Sequence, residues 1–442
     1  MFKRKIYDDL LKWKEQSKGK TALLVEGPRR VGKSTVVEAF AAKEYRSYIL
    51  VDFLDAPPVI RQLFDDISDL NYVFTQLQLQ YGVRLFERES LIVFDEVQLC
   101  PPARQAIKKL VLDGRYDYIE TGSLISIRKN TADILVPSEE RKLQMYPMDY
   151  EEFCWAQGTQ DSQTILRQVF ESHTPLGDSM NRQLMRNYRL YMLVGGMPQA
   201  VDAYLSSNNL ELVDQVKRDI LSLYNDDFYK ISPSGTLSRL FEAIPAQLAK
   251  KASRYHVSSV LANKSASDVL EEVSELAASK TVLVAYHADD PNVGMSASIN
   301  LEKFKLYLAD TGLFVTLMFK DSAFAENVVY EKLLADRLPV NLGAVYENTV
   351  AQTLAAKGDS LFYHTWLNEQ SKRNYEIDFI VSRRQKICPI EVKSSRYKQH
   401  ASLDKFAIKY AARIDRQYLI HTKDVRKDGS IYCLPTYMTQ FI

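Results

Sequence analysis

One stretch constrains the fold of this chain more than any other: residues 27–34 read G-x-x-x-x-G-K-S. An apolar run, residues 21–25, comes immediately before it, and residues 35–43 can form a helix. A strand, a glycine-rich loop and a helix in that order are the context that a phosphate-binding loop requires. The pattern therefore predicts an α/β fold with such a loop, and the alternative is a glycine loop that binds nothing.

The residue types in this loop suit a nucleoside triphosphate. The two glycines allow a tight turn that aims consecutive backbone N–H groups inward, and the following helix adds its positive end. We expect Lys33 to contact the β- and γ-phosphates and the Ser34 hydroxyl to bind Mg²⁺. The predicted cofactors are ATP and Mg²⁺, and the predicted nucleotide-binding residues are Gly27, Pro28, Arg29, Arg30, Val31, Gly32, Lys33, Ser34 and Thr35.

A further apolar run, residues 90–94, ends in two acids, Asp95 and Glu96. Such a run suits a strand buried on both faces of a parallel sheet, and the acids then emerge at its carboxyl edge, where ligands of these sheets bind. We expect Asp95 to hold Mg²⁺, directly or through water, and Glu96 to polarise the attacking water. The alternative is a strand that ends in surface acids without a ligand.

A fourth predicted strand, residues 116–120, runs into Thr121, Gly122 and Ser123. A polar side chain at this point can contact the γ-phosphate or the attacking water. Thr121 and Ser123 are therefore candidates for that sensing role, although a Thr-Gly-Ser sequence is also typical of a simple turn.

Composition excludes several classes of protein. The chain has 442 residues, enough for about two to four domains, and a formal net charge of +1, which gives no overall attraction to nucleic acid or membrane. Its four cysteines are scattered without a C-x-x-C pair, which predicts a reduced, cytoplasmic protein. No run approaches the roughly 18 apolar residues of a membrane span, and residues 1–9 lack the apolar core of a signal peptide.

The middle of the chain, residues 236–280, contains three helical patterns at 237–250, 256–262 and 267–278. Two predicted strands follow, at 281–286 and 304–308, so the segment predicts a winged helix. Acids dominate the third helix, which disfavours sequence-specific DNA reading. Phosphate contact remains an alternative through Lys250, Lys251, Arg254 and Lys264.

The composition becomes basic near the C-terminus: residues 341–442 contain 16 Lys and Arg against 10 Asp and Glu. A basic module suggests a polyanionic partner, although solvated charge alone produces the same count. Within it, residues 375–381 and 387–393 alternate polar and apolar residues, as half-buried strands do.

If these two strands form a hairpin turning on residues 384–385, Asp378 lies opposite Glu391 and Glu376 lies opposite Lys393. Acids and a lysine on one face suit a divalent metal and a phosphodiester. The acids are expected to hold Mg²⁺ or Mn²⁺, and Lys393 to activate water or offset phosphate charge. A salt-bridged hairpin without metal is the alternative.

Several motifs occur in a fixed order: residues 27–34 with their paired arginines, 94–98, 121–123, 146–153, 193–198 and 218–220. Together they resemble the prokaryotic AAA-type ATPases that carry an uncharacterised, nuclease-like C-terminal region. The resemblance covers nearly the whole chain. It implies an ATPase domain, for which the pattern of residues 162–229 predicts a helical lid, and it agrees with a winged-helix middle.

The resemblance also implies roles for particular residues. The family usually carries Gly-Arg before the segment 146–148, where this chain has Glu140 and Arg141. Arg141 is thus implied to stabilise charge, in cis or on a neighbouring subunit, with a surface salt bridge as the alternative. Asp378 and the Glu391-x-Lys393 sequence resemble the core of restriction-endonuclease-like nucleases, and Glu347 matches the first-helix acid of that fold.

These patterns predict an α/β chain with an AAA-type ATPase domain (residues 1–232), a winged helix (233–318) and a restriction-endonuclease-like domain (319–442). We expect ATP hydrolysis coupled to a module that binds or cleaves DNA or RNA. The alternative is a nucleotide-gated protein that acts on a protein partner and carries an inactive nuclease-like domain. No membrane partner is expected, and a homo-oligomer is a candidate assembly. The predicted catalytic residues are Lys33, Glu96, Thr121, Ser123, Arg141, Asp378, Glu391 and Lys393, and the predicted metal ligands are Ser34, Asp95, Glu347, Asp378 and Glu391.

Overall fold

The computed structural model describes residues 1–122, 137–159, 161–250, 252–321, 333–335, 342–368, 374–394 and 399–442. The chain divides into two compact units. The first contains residues 1–146 and 278–280, and the second contains residues 147–277 and 281–442. The predicted domain boundaries after residues 232 and 318 both fall within the second unit.

The first unit is built on a parallel sheet of five strands in the order β2-β3-β4-β1-β5. The strands are β1 (Ala22–Glu26), β2 (Ser47–Asp52), β3 (Ser90–Asp95), β4 (Asp117–Gly122) and β5 (Glu140–Gln144). The accompanying helices are Ile6–Ser17, Lys33–Glu44, Pro58–Gln62, Leu70–Tyr81 and Pro101–Asp113.

Apolar side chains cover both faces of this sheet. Along β3, Leu91 and Val93 belong to one buried cluster, whereas Ile92 and Phe94 belong to another. Because successive side chains of a strand point to opposite faces, a continuous apolar run is what a strand covered on both faces requires. The predicted α/β fold with a parallel sheet is therefore confirmed for this unit.

The strand order brings three chain segments to one edge. Strand β4 lies between β1, which leads into the glycine loop, and β3, which ends at Asp95. In the parallel register, Val25 pairs with Thr121 and Asp52 pairs with Asp95. The carboxyl ends of four neighbouring strands therefore lie together, as they do where ligands bind to open α/β sheets.

The second unit contains helices and a mixed sheet of eight strands in the order β12-β13-β11-β10-β9-β8-β6-β7. The strands are β6 (Val282–Ala288), β7 (Ile299–Leu308), β8 (Phe362–Leu367), β9 (Asn374–Arg383), β10 (Lys386–Val392), β11 (Gln417–His421), β12 (Arg426–Asp428) and β13 (Ile431–Pro435). The α-helices described between residues 147 and 442 are Tyr150–Ala156, Asp161–Ser172, Asp178–Val194, Pro198–Ser207, Leu210–Ile231, Thr236–Glu242, Ile244–Ala249, Leu270–Ala278, Thr311–Met318, Leu342–Ala356 and Ala401–Tyr410. In the part of the chain that the structure describes, no helix is both long enough and apolar enough to cross a membrane.

The paired glycines of segment 193–198 have a structural role in the second unit. The Gly196 carbonyl accepts from Met148 N at 2.7 Å, and Gly196 N donates to Asp310 Oδ2 at 2.5 Å. A Cβ at Gly196 would overlap the Met148 backbone, and one at Gly195 would overlap Asp310. Glycine is thus required here because the backbones approach closely.

The winged helix is not confirmed. The predicted hairpin exists, since β6 and β7 pair antiparallel, but β6 also pairs with β8 through Tyr286 and Phe362 and so belongs to the large sheet. The helix predicted over residues 256–262 is wrong, because the structure has only the 3₁₀ turn Val257–Ser259 there. The pattern at 237–250 forms two short helices, with Pro245 in the first turn of the second, because proline cannot extend a helix from within it.

Candidate functional sites

The backbone of the glycine loop includes left-handed conformations, which glycine adopts readily. Gly32 has φ 96° and Arg30 has φ 67°, both in the left-handed region. A Cβ at Gly27 would overlap the backbone carbonyl of Met145, which follows β5. The loop therefore turns tightly against the sheet edge before the helix Lys33–Glu44 begins.

The N-terminus of that helix has the character of an anion site. Its first turn contains no acidic residue, and among the described residues no side chain caps it. The first backbone N–H groups of a helix have no partner within the helix and carry the positive end of its dipole. The predicted phosphate position is thus consistent with the local electrostatics.

Lys33 lies inside the loop. It is buried, and its Nζ donates to the carbonyl oxygens of Gly27 at 3.1 Å and Pro28 at 3.0 Å. Burial lowers the pKa of the Lys33 ammonium, and the carboxylates of Glu96 and Asp95 oppose that shift. The direct partners of this ammonium in the loop are neutral carbonyls, so its positive charge is not cancelled by the bonds it makes there.

Two predicted residues converge on Asp95. The Ser34 hydroxyl donates to Asp95 Oδ1 at 2.8 Å, and the buried Thr121 hydroxyl donates to the same oxygen. Thr121 Oγ1 also accepts from the backbone N of Glu96 at 3.4 Å. The structure therefore brings together the loop, the acids after β3 and the end of β4.

Glu96 turns away from β3 with φ 51° and ψ 46°, a left-handed conformation. Its Oε2 accepts from the side-chain amide of Gln98, a residue that sequence reasoning did not select. Glu96 therefore presents a partly exposed carboxylate, held by an amide, directly after Asp95.

Two further residues at this edge were also missed. Arg4 is buried, and its guanidinium donates to Val31 O at 3.1 Å and Tyr146 O at 2.6 Å, which ties the glycine loop to the segment after β5. Asp52 ends β2 beside Asp95, and burial raises its pKa, with the Asp95 charge as a further cause. The position of Asp52 at the end of a predicted strand could have identified it, whereas no local sequence pattern indicated Arg4.

Arg141 is not brought to the loop. It is exposed on β5, an edge strand of the sheet, and it pairs with Leu23, well before β1 reaches the loop. Its neighbour Glu140 forms a bidentate ion pair with buried Arg104, at 2.9 and 3.0 Å. Ser123, the other predicted residue, lies outside the described residues.

The C-terminal hairpin has the predicted register. Arg384 and Gln385 form its turn with φ values of 47° and 64°, as a two-residue hairpin turn of type I′ requires. Lys386 pairs with Arg383 and Ile390 with Phe379, so the next step along the ladder places Asp378 opposite Glu391. The symmetric pairing about this turn is confirmed as far as Ile390 and Phe379, and the pairing of Glu376 with Lys393 stays a prediction.

The acids on this hairpin have close partners. Asp378 Oδ2 accepts from Val392 N at 2.7 Å, and Lys393 Nζ lies 2.6 Å from Glu391 Oε1. Glu391 is 3% exposed. Glu376, which was predicted opposite Lys393, instead forms an ion pair with Lys305 of β7.

Lys305 lies between carboxylates. Its Nζ is 3.1 Å from Glu347 Oε1 and also contacts Glu376, while the Tyr307 hydroxyl donates to Glu347 Oε1 at 2.6 Å. Its ammonium lies over the ring of Tyr363, 5.4 Å from the centroid. Lys305 was missed because it belongs to a strand that the sequence assigned to another domain.

Burial and neighbouring charges shift the pKa values of Asp378 and Lys305. Burial raises the pKa of Asp378 well above its ordinary value, and the charge of Glu347 adds to the effect. Burial alone would lower the pKa of Lys305, but Glu347, Tyr307 and Glu376 together hold it well above its ordinary value. Within the described residues, no group of three or more His, Cys, Asp or Glu side chains is arranged to hold a metal ion. The predicted ligand set Glu347, Asp378 and Glu391 is therefore not assembled as a metal site.

Comparison with known families defines the class of the first unit. Residues 19–154 match the model of a family described as "AAA domain". With the loop, the acids after β3 and the strand order described above, the N-terminal part of the chain is an AAA-type P-loop ATPase domain. Residues 185–323 and 342–437 match two models described as domains of unknown function, DUF8612 and DUF4143. No curated protein matches the chain.

Similar solved structures include the Walker-type ATPase PABY2304 of Pyrococcus abyssi, at 16% identity, 72% coverage of this chain, 96% of that chain and a TM-score of 0.44. The ORC1 protein of Aeropyrum pernix, solved in complex with DNA, has 13% identity, coverages of 73% and 94%, and a TM-score of 0.29. The RuvB Holliday junction branch migration motor of Thermotoga maritima has 12% identity, coverages of 64% and 89%, and a TM-score of 0.28.

Proposed function

We propose that the N-terminal domain binds ATP with Mg²⁺ and hydrolyses it. The nucleotide state of this domain then controls whether a restriction-endonuclease-like module at the C-terminus binds nucleic acid. The observation that carries the first part is the contact of Ser34 and Thr121 with Asp95 beside the glycine loop. A hydroxyl and a carboxylate in contact next to a helix N-terminus are the donor set that a nucleotide-bound Mg²⁺ takes in P-loop proteins, so the residues fit the cofactor.

Each residue of this site has a distinct role. Lys33, already inside the loop, binds phosphate oxygens, while Ser34 and Asp95 hold the metal ion. Thr121 fixes the orientation of Asp95 and senses the γ-phosphate, and Glu96 orients the attacking water. When bound, ATP supplies the phosphoryl group and Mg²⁺ offsets the charge on its oxygens. Positioning and electrostatic stabilisation account for most of the acceleration.

Glu96→Gln tests this assignment. The variant keeps the shape of the side chain and the Gln98 contact but loses the carboxylate, so we expect ATP affinity close to wild type and turnover lower by roughly 100-fold or more. ATP turnover and equilibrium binding of a fluorescent ATP analogue should be measured together. Gln98→Ala is the matched control, with a smaller loss expected. Wild-type turnover in Glu96→Gln would refute the role of Glu96.

The C-terminal part of the proposal is supported by the hairpin with Asp378 and Glu391, by Glu347 beside it and by the excess of basic residues after residue 341. Its test is the ATPase rate and the affinity for DNA and RNA oligonucleotides, each with and without ATP. We expect nucleic-acid binding that depends on the nucleotide state and survives Asp378→Ala. Nucleic acid that neither binds nor changes ATP turnover would overturn this part and favour a protein partner.

Cleavage of nucleic acid is the second candidate. It is supported by the hairpin itself, which carries Asp378 on β9 and Glu391 and Lys393 on or next to β10. Its test is Mn²⁺-dependent degradation of DNA or RNA that disappears in both Asp378→Ala and Glu391→Ala.

For Arg141 we propose a role on a neighbouring copy of the chain, supported by its exposure on an edge strand. A mixture of Lys33→Ala and Arg141→Ala chains tests it. In that mixture an intact Arg141 can meet an intact loop on another chain, so ATP turnover should exceed that of either variant alone. A mixture no more active than the Arg141→Ala chain by itself would exclude the role.

A further inference from the structure

Four buried or half-buried carboxylates of the second unit form what we name the acidic cluster: Glu347, Glu376, Asp378 and Glu391. Two lysines lie among them. Lys393 pairs with Glu391, and Lys305 pairs with Glu347 and Glu376 at once. The cluster thus carries its own cations.

The partners of each carboxylate decide whether a divalent cation fits here. Asp378 Oδ2 accepts from Val392 N, and Glu391 Oε1 is bound by Lys393. Glu347 Oε1 accepts from both Lys305 and Tyr307. Mg²⁺ needs several oxygens in a near-octahedral arrangement and tolerates no ammonium in its first shell. The described residues do not provide that arrangement.

Lys305 is part of the interior rather than a mobile surface charge. It is 5% exposed, its strand neighbours Phe304 and Leu306 are each 1% exposed, and its ammonium lies over the Tyr363 ring. A buried ammonium persists only with charged or hydrogen-bonded partners, and its removal leaves the partner charges uncompensated.

We propose that Lys305 is the resident counter-ion of the acidic cluster, so that the wild-type cluster takes up no divalent cation and removal of this lysine converts it into a Mn²⁺ or Mg²⁺ site. The inference rests on the proposed function and deepens it, because a cluster whose carboxylates are already paired with lysine favours a module that binds without metal-dependent cleavage. It concerns metal binding alone, and so its outcome is separate from ATP turnover and nucleic-acid affinity.

The test is a titration of the nucleotide-free full-length chain with Mn²⁺. Binding is measured by calorimetry and, in parallel, by the electron paramagnetic resonance signal of the Mn²⁺ that stays free. Lys305→Gln should gain one Mn²⁺ site at least about tenfold tighter than any in wild type. Lys386→Gln, which removes an exposed charge from the same sheet, should gain nothing. Adding Asp378→Asn to Lys305→Gln should abolish the gain.

A gain in Lys305→Gln no larger than in Lys386→Gln would overturn the proposal, provided circular dichroism shows a folded chain. The wild-type comparison does not depend on that variant. If wild type binds one Mn²⁺ that Asp378→Asn abolishes, the cluster is a metal site and Lys305 is not its counter-ion. Equal weak binding by wild type and Asp378→Asn supports the proposal.

Discussion

The glycine loop and the acidic cluster both bring lysine and carboxylate groups together, but the charged groups have different hydrogen-bond partners at the two sites. At the loop, Lys33 donates to neutral carbonyls, and Asp95 accepts from the neutral hydroxyls of Ser34 and Thr121. At the acidic cluster, Lys305 and Lys393 bind carboxylates directly. Charges held by neutral groups stay available for a charged ligand, whereas charges that pair with each other do not. The charges of the first site therefore stay available to a charged ligand, whereas the two lysines of the second are occupied by its own carboxylates.

The largest effect is expected at the loop. Lys33→Ala removes the positive charge that faces the phosphates, so ATP turnover should fall by about 100-fold or more. Lys43→Ala, on the same helix with a side chain 75% exposed, should keep wild-type turnover. Steady-state ATPase assays decide the matter, and full activity in Lys33→Ala would remove the basis for a nucleotide site.

Lys305→Gln tests the acidic cluster, the second site of this comparison, through the stability of the chain. It leaves Glu347 and Glu376 without their buried cation, so the free energy of unfolding in metal-free buffer should drop by about 3 kcal/mol. Urea unfolding compared with Lys386→Gln gives the measurement. A change below about 0.5 kcal/mol would show that Lys305 behaves like a surface charge.

Arg4→Ala tests whether the contacts of the Arg4 guanidinium fix the conformation of the glycine loop. The guanidinium joins Val31 and Tyr146, and a lysine cannot make both contacts with one ammonium in the same geometry. We expect the KM for ATP to rise about tenfold, from a loss of roughly 1.5 kcal/mol, with a smaller change in kcat. Arg4→Lys should recover only part of the loss. An unchanged KM in Arg4→Ala would confine Arg4 to a role in folding.

Asp378→Asn tests the electrostatics of the acidic cluster through pH. Burial raises the pKa of Asp378 in the folded chain, so the folded state keeps a proton that the unfolded state releases near pH 4. This residue's contribution to stability is complete below about pH 4 and declines as the pH rises through the folded pKa, by up to about 1.4 kcal/mol per pH unit.

The asparagine retains an acceptor for Val392 N but does not titrate. The stability of Asp378→Asn relative to wild type should therefore increase as the pH rises from about 4. Denaturant unfolding at several pH values measures the difference between the two chains. A difference that stays constant over this range would show that Asp378 titrates normally in the folded state.

Prediction from sequence succeeded where the determining residues are local. The loop, its flanking strand and helix, and the acids at the end of β3 are contiguous patterns, and the symmetry of a two-residue turn was enough to set the hairpin register as far as Ile390 and Phe379. Sequence reasoning missed residues whose contacts join distant segments. Arg4 donates to Tyr146, 142 positions away along the chain, and Lys305 pairs with Glu347, 42 positions away. The winged helix is not confirmed for the same reason, because nothing in the sequence near residue 286 indicates that β6 pairs with Phe362.

The contrast between the two sites is tested most directly by counting tightly bound Mn²⁺ per chain, with and without ATP. Glu96→Gln is the suitable background because ATP should remain intact in it. The count should be zero without ATP and one with ATP, and Ser34→Ala should weaken the ATP-dependent site. One Mn²⁺ bound in the absence of ATP and abolished by Asp378→Asn, or a count that ATP does not change, would contradict the account.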